Sequence, residues 1–471
     1  MIPGSALAQL KSALGEGGSL EQPADVEPFL HDFRGLFAGR TPLVALPAST
    51  AQVAQVVRIC AEHRIGIVPQ GGNTSYCGGA TPDGSGSQIV LALKRLNRVR
   101  EVKPLDYSMT VEAGCVLAQV QEAAQAAERL FPLSLGSEGS CQVGGNLATN
   151  AGGTAVLRYG MMRDLVLGLE VVLADGSVLD GLRGLRKDNS GYDLRHLFIG
   201  SEGTLGVITA ACVKLFPRPA EIVTAFVAVR DPEAAVELLA ATRGASGDAV
   251  TTFELIPRLA VDLTTQHISG VGDPLSQRYD WYVLIELTSS RPESGLAAVL
   301  EATLGRNLES GLVLDAVLAS NLRQREALWR LRESIPEAQR HAGASIKHDI
   351  SVPISAIAEF VRRGGEWITA HVPDGQLLAY GHLGDGNLHF NVQQRGASDA
   401  RAFLAGGPTI QRAIHDLVAE YRGSFSAEHG IGQLKVGELA RYKNPVALTL
   451  MRELKRALDP QGILNPGKVL A

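Results

Sequence analysis

Glycine is concentrated between about residue 66 and residue 206, in three loops: PQGGNTSYCGGA from Pro69, LGSEGSCQVGGNLATNAGG from Leu135 and IGSEGTLGV from Ile199. Without Cβ obstruction, the backbone N–H groups of such a loop can converge on an anion. Taken singly, each loop reads more readily as a structural turn than as a binding loop. Three in one half of a chain point to a large phosphate-bearing cofactor. No G-x-x-x-x-G-K-[ST] is present, which excludes a P-loop, and no G-x-G-x-x-G stands between strand and helix in the Rossmann manner.

The remaining bounds are ordinary. A length of 471 residues exceeds one hydrophobic core and suggests roughly two or three domains. With 45% hydrophobic and 20% charged residues the chain is globular in composition, and a net charge of −5 leaves no electrostatic footprint for nucleic acid. The cysteines, Cys60, Cys77, Cys115, Cys141 and Cys212, form no C-x-x-C pair and read as free thiols in a reducing compartment. The N-terminus has neither the basic-then-apolar pattern of a signal peptide nor the arginines of a transit peptide. No apolar run approaches the roughly 18 residues of a membrane span. A cytoplasmic protein, or a matrix protein in a eukaryote, is expected.

Along the chain, helical spacing from Ser49 to His63 runs into a strand at Gly66 and the first glycine loop. Strand SQIVLAL, a helix over about 116–129 and the second loop follow. LGLEVVLADGSVLDG reads as a hairpin turning at Asp175-Gly176, and the third loop leads into VITAACVKLF. Pro217-Arg218-Pro219 marks a boundary. Beyond it, strands IVTAFVAVR, TFELI and WYVLIEL alternate with helices, the first opened by Asp231. That order predicts a split βαβ sheet with helices on one face. A long polar helix is expected over about 320–341, then strand IKHDISVP and a helix ending at His371. No solenoid repeat or low-complexity tract interrupts this order.

The segment HLGDGNLH carries the sharpest chemistry. If Asp385-Gly386 forms a two-residue turn, His382 faces His389 with Cβ atoms roughly 4.5–5.5 Å apart, and Asn391 shares their face. Glu428 in SAEHGIG supplies the obvious third ligand. Two histidines and a carboxylate suit zinc, manganese, cobalt or iron; from spacing alone, two hydrogen-bonded sheet histidines are the better fit.

The three glycine loops resemble the FAD-binding loops of the vanillyl-alcohol oxidase superfamily, over more than 400 residues. The resemblance implies an α+β fold: a PCMH-type FAD-binding domain of two α+β subdomains (1–219), an antiparallel-sheet substrate and metal domain (220–458), and a C-terminal segment (459–471) returning to the first. It implies that Gly71, Gly72, Asn73, Thr74 and Gly79 hold the pyrophosphate. Gly144, Asn146, Thr149, Gly152 and Gly153 line the flavin, Gly203, Gly206 and Ile208 lie near the adenine, and Asn465 returns to the flavin. The first loop lacks the histidine that links FAD covalently in many relatives, so dissociable FAD is expected; Cys77 is taken as an inert thiol.

HLGDGNLHFNV and SAEHGIG are similar to the metal motifs of D-2-hydroxyglutarate dehydrogenases, within the larger D-lactate and glycolate dehydrogenase group. The implied reaction is oxidation of a D-2-hydroxy acid, D-2-hydroxyglutarate or D-malate first, with a divalent ion (zinc foremost, cobalt or manganese also) on His382, His389 and Glu428. His429 is the candidate general base, and Asn391 a further substrate contact. Arg332 and Lys347 would meet a distal carboxylate, although taken alone each reads as a solvated surface charge. Pro336 stands where that group often has threonine, which leaves substrate chain length open between a dicarboxylate and D-lactate or glycolate. A non-catalytic flavin-binding electron-relay subunit is the rival of another class; the full set His382, His389, Glu428 and His429 speaks against it. The implied acceptor is an electron-transfer flavoprotein or a quinone, and the expected assembly a homodimer.

Overall fold

The computed structural model describes residues 2–396 and 399–470. It divides into two compact units, one of Met1–Gly153, Gly160–Arg218 and Glu428–Ala471, the other of Thr154–Tyr159 and Pro219–Ala427. The chain thus returns to the first unit at Glu428, earlier than the 459 expected. The reason is polar: the amides of Ile431 and Gly432 bond to Glu202, and Gln433 donates to the carbonyls of Gly78 and Thr81.

Among the described residues the first unit carries a four-stranded sheet, a five-stranded sheet and a two-stranded ribbon that pairs Arg129–Leu130 with Phe216–Pro217. Strands β1 (Ser19–Leu20), β2 (Val44–Ala45), β3 (Gly66–Gln70) and β4 (Gln88–Ala92) lie in the order β1-β2-β4-β3, with β2, β4 and β3 parallel. Helix α1 (Thr50–His63), capped by the Ser49 side chain on the Gln52 amide, packs Val53, Val56, Val57 and Cys60 into this core. Leu464 from the C-terminal segment joins the edge of β3. The second sheet is antiparallel. It comprises β5 (Val99–Lys103), β6 (Ser108–Glu112), β7 (Val166–Val172), β8 (Val178–Asp180) and β9 (Val207–Lys214) in the order β5-β6-β9-β7-β8. The hairpin expected at Asp175-Gly176 joins β7 to β8, with Gly176 at φ 76°. All five cysteines are buried and none forms a disulfide.

The second unit is built on one large antiparallel sheet. Its strands are β10 (Glu221–Val229), β11 (Val250–Pro257), β12 (Trp281–Ser289), β13 (Val313–Leu318), β14 (Ser345–Ile346), β15 (Asp349–Ser351), β16 (Gly375–His382) and β17 (Asn387–Gln394). The order is β13-β10-β12-β11-β16-β17-β14, and β15 also pairs with β17. Helices cover both faces rather than the one expected, because the strands are apolar on both sides. Phe253, Leu255, Val283 and Phe390 pack against Leu238, Leu300 and Phe360, while Ile256, Tyr282, Leu284 and Tyr380 pack against Val261, Leu328 and Ile335. Parallel and buried sheets read as near-continuous apolar runs for the same reason. The polar helix expected over 320–341 is two helices, α2 (Leu322–Glu333) and α3 (Ile335–His341), broken at Ser334. Pro336 has no N–H to give to the carbonyl of Arg332, and its ring crowds that carbonyl. Among the described residues no helix is long and apolar enough to cross a membrane.

Candidate active site

In the first unit the glycine loops meet one another. A Cβ on Gly72 would collide with the carbonyl oxygen of Ser140 in the second loop. Gly71 lies 3.4 Å, from a notional Cβ, from the Gly145 amide. Asn73 is left-handed (φ 53°) and donates to the His31 carbonyl at 2.7 Å, and Thr74 is half-buried beside it. Asn465 donates to the carbonyls of Gly79 (2.9 Å) and Glu202 (2.7 Å), joining the first and third loops to the C-terminal segment. Gly144 sits against Ala113, Gly203 against Pro69, and Gly206 against Val171 and Phe198. Asn146 is buried against Cys141, Thr149 donates to the Gly145 carbonyl, Gly152 is buried, and Gly153 donates to Glu428 at 2.9 Å. Ile208 lies buried in β9 opposite Val171.

Gln142 Oε1 in the second loop, Thr81 Oγ1 next after the first and Asn465 Oδ1 in the C-terminal segment are buried without a hydrogen-bond partner. Buried polar atoms in native proteins are nearly always paired. A cofactor rich in donors and acceptors, as FAD is, fits such unpaired atoms. His429 stands in the loop stapled to Glu202, its ring centroid 4.6 Å from that of Tyr76. Burial pushes the Glu202 carboxyl above the usual range, against the amides of Ile431 and Gly432. The Cys77 thiol donates to the Gly430 carbonyl at 3.4 Å. Sequence reading missed Glu202 and Tyr76; the glycines flanking Glu202 disguised it as part of a turn.

In the second unit the two histidines come together by a different register from the one expected. His389 on β17 pairs with Tyr380, and His382, the last residue of β16, pairs with Glu254 on β11. The turn is longer than two residues: Leu383–Asp385 forms a short 3-10 turn closed by Gly386 at φ 85°. A shift of two residues keeps every side chain on its own face, so the rings of His382 and His389 still meet, diagonally, at a centroid distance of 5.8 Å. Glu428 follows Ala427, whose amide donates to the Asp349 carbonyl at 3.2 Å, and Asp349 pairs with His389. His382 and His389 thus present two imidazoles on one face of the second unit, and Glu428 opens the segment that returns to the first.

Arg332 is no surface charge. It is 7% exposed, its Nε donates to Glu254 at 2.6 Å, and its guanidinium carbon lies 5.1 Å from the Tyr380 ring centroid. The other oxygen of Glu254 meets His382 Nδ1 at 2.5 Å. Burial alone would raise the Glu254 carboxyl, but Arg332 and His382 hold it down at about 2. Lys347 is half-buried, and the ladders on either side set it level with Asn391. Asn391 accepts from the His348 amide and donates to Gln339, both at 3.1 Å. Gln339 and Glu254 were not anticipated. Glu254 left one signal, a lone charge inside the apolar run TFELIP.

Comparison with known proteins gives the family and the fold. Residues 218–469 match the family described as FAD linked oxidases, C-terminal domain, and residues 41–181 match the FAD binding domain family. p-Cresol methylhydroxylase has the same fold, with a TM-score of 0.76 at 18% identity over 99% of this chain and 96% of that one. The chain belongs to the FAD-linked oxidases. More narrowly it groups with D-2-hydroxyglutarate dehydrogenases. It is 41% identical to the probable mitochondrial enzyme of Oryza sativa subsp. indica, over 98% of this chain and 81% of the relative. It is likewise 41% identical to the mitochondrial enzyme of Bos taurus, over 96% and 81%. It is an FAD-dependent dehydrogenase of that group.

Proposed function

We propose that the protein oxidises D-2-hydroxyglutarate to its 2-oxo acid, using dissociable FAD and one divalent ion, zinc foremost. The observation that carries this reading is the meeting of the His382 and His389 rings on one sheet face at a centroid distance of 5.8 Å, which with the Glu428 carboxylate of the SAEHGIG motif makes a nitrogen–nitrogen–oxygen set suited to zinc, cobalt or manganese. When bound there, the ion supplies Lewis acidity toward a hydroxyl and a carboxylate on adjacent carbons. FAD, when bound, takes up the two electrons released. His429, next in the chain to Glu428, accepts the hydroxyl proton. Arg332, held through Nε by Glu254, and Lys347 take the distal carboxylate. The names of the relatives at 41% identity support the dicarboxylate. The absence of histidine from the first loop and the burial of Cys77 support non-covalent FAD. Electrons pass on to an electron-transfer flavoprotein or a quinone.

A panel of D- and L-2-hydroxy acids with an electron-accepting dye tests the reading. D-2-hydroxyglutarate should exceed D-lactate in kcat/KM, and chelation should stop turnover without bleaching the flavin spectrum. Equal kcat/KM for the two acids sinks the dicarboxylate assignment. Full-rate flavin reduction by exhaustively demetallated enzyme sinks the metal.

A further inference from the structure

We infer that Glu254 is a positioning residue of the metal site, fixing which nitrogen of His382 is presented to the ion. The inference rests on the metal reading above. An imidazole has two nitrogens, and the one that binds a metal is set by what the other bonds to. Here Oε1 of Glu254 lies 2.5 Å from Nδ1 of His382, so Nδ1 carries the hydrogen and Nε2 is the ligand atom. The geometry is built in at two levels. Glu254 and His382 are directly opposed on neighbouring strands, which sets the approach of the side chains. Arg332 grips the second oxygen, Oε2, at 2.6 Å, which fixes the rotation of the carboxylate. Glu254 is buried and its side chain 1% exposed, so water does not compete for these bonds.

A carboxylate behind a metal-bound histidine orients the ring and raises its basicity, and losing one weakens metal affinity about 10–100-fold. Glu254 shares its face with Ile256, Leu284, Leu328 and Tyr380 as well as with its two polar partners, Arg332 and His382. A buried ion pair is commonly replaced by apolar residues without loss of stability, so its presence here calls for a use beyond folding.

The test measures zinc affinity of FAD-loaded protein by competition with a chromophoric chelator. Glu254→Gln should bind zinc 10–100-fold more weakly while flavin content and spectrum stay unchanged. Because that variant leaves Arg332 without its carboxylate, the double variant Glu254→Gln/Arg332→Met is measured beside it; it should fold, hold FAD and show the same weakening. Wild-type zinc affinity in either folded variant overturns the inference and leaves the metal site standing. His389→Ala should lose zinc altogether. Wild-type protein that binds no stoichiometric zinc, cobalt or manganese overturns the metal reading, and the inference falls with it.

Discussion

The glycine loops of the first unit and the histidine face of the second prepare for ligands with opposite materials. In the first, the chain backbone forms the surface: Gly71 and Gly72 lie against Ser140 and Gly145, and the loops are tied by main-chain carbonyls to Asn465 and Gln433. In the second, regular strands hold an ordinary backbone in register, and side chains do the work. His382, Glu254 and Arg332 form a chain of contacts at 2.5 and 2.6 Å. The difference teaches where each site is vulnerable. A backbone site fails when a side chain is added, and a side-chain site fails when one is removed.

The largest expected effect lies in the second unit. Arg332→Ala leaves the buried Glu254 carboxylate without its cation, and removing one partner of a buried pair costs about 3–5 kcal/mol. Thermal unfolding of the variant should show that loss. A melting temperature within a degree of wild type would mean that the pair is looser than its 2.6 Å distance implies.

His429→Asn comes next. The residue sits in a first-unit loop anchored by Glu202, yet its role is that of a side chain. The variant should keep FAD and lower kcat about 100-fold, roughly 2.7 kcal/mol in barrier. A kcat within threefold of wild type would remove His429 as the base.

The smallest effect sharpens the contrast within the first loop. Gly72→Ala forces apart two backbone segments and should cost about 1–3 kcal/mol together with FAD affinity. Thr74→Ala, which keeps the main-chain amide that Thr74 offers the pyrophosphate and removes only its side chain, should leave FAD binding close to wild type. If FAD affinity falls more in Thr74→Ala than in Gly72→Ala, the loop does not act through its backbone, and the comparison drawn above is broken.

Much of this molecule was legible in its residues. The helix that follows Ser49, the hairpin at Asp175-Gly176 and strands such as β4, β9 and β12 follow from local patterning, whereas β5, β6 and β13 were not anticipated. His382 and His389 were found through the turn between them, even though the turn is longer than expected and the register differs by two. A two-residue error was harmless because it preserves the face. The one-face sheet failed for the opposite reason. Strands such as VTTFELIP are buried throughout, so their sequence cannot say how many sides are covered. The helix break at Ser334 was written in Pro336, four residues past Arg332, but was read only as a missing hydroxyl.

By itself the sequence determined what neighbouring residues decide: glycine-rich turns, caps, strand alternation and the presence of a histidine pair near a carboxylate motif. These depend on backbone torsions and spacings that act over a few residues. Only the tertiary structure decided that Arg332 is buried, that Glu254 stands behind His382 from 128 residues away, and that Glu202 anchors the His429 loop from 229 residues away. Such contacts depend on which strands become neighbours, and that is fixed by burial of the whole core rather than by any local pattern.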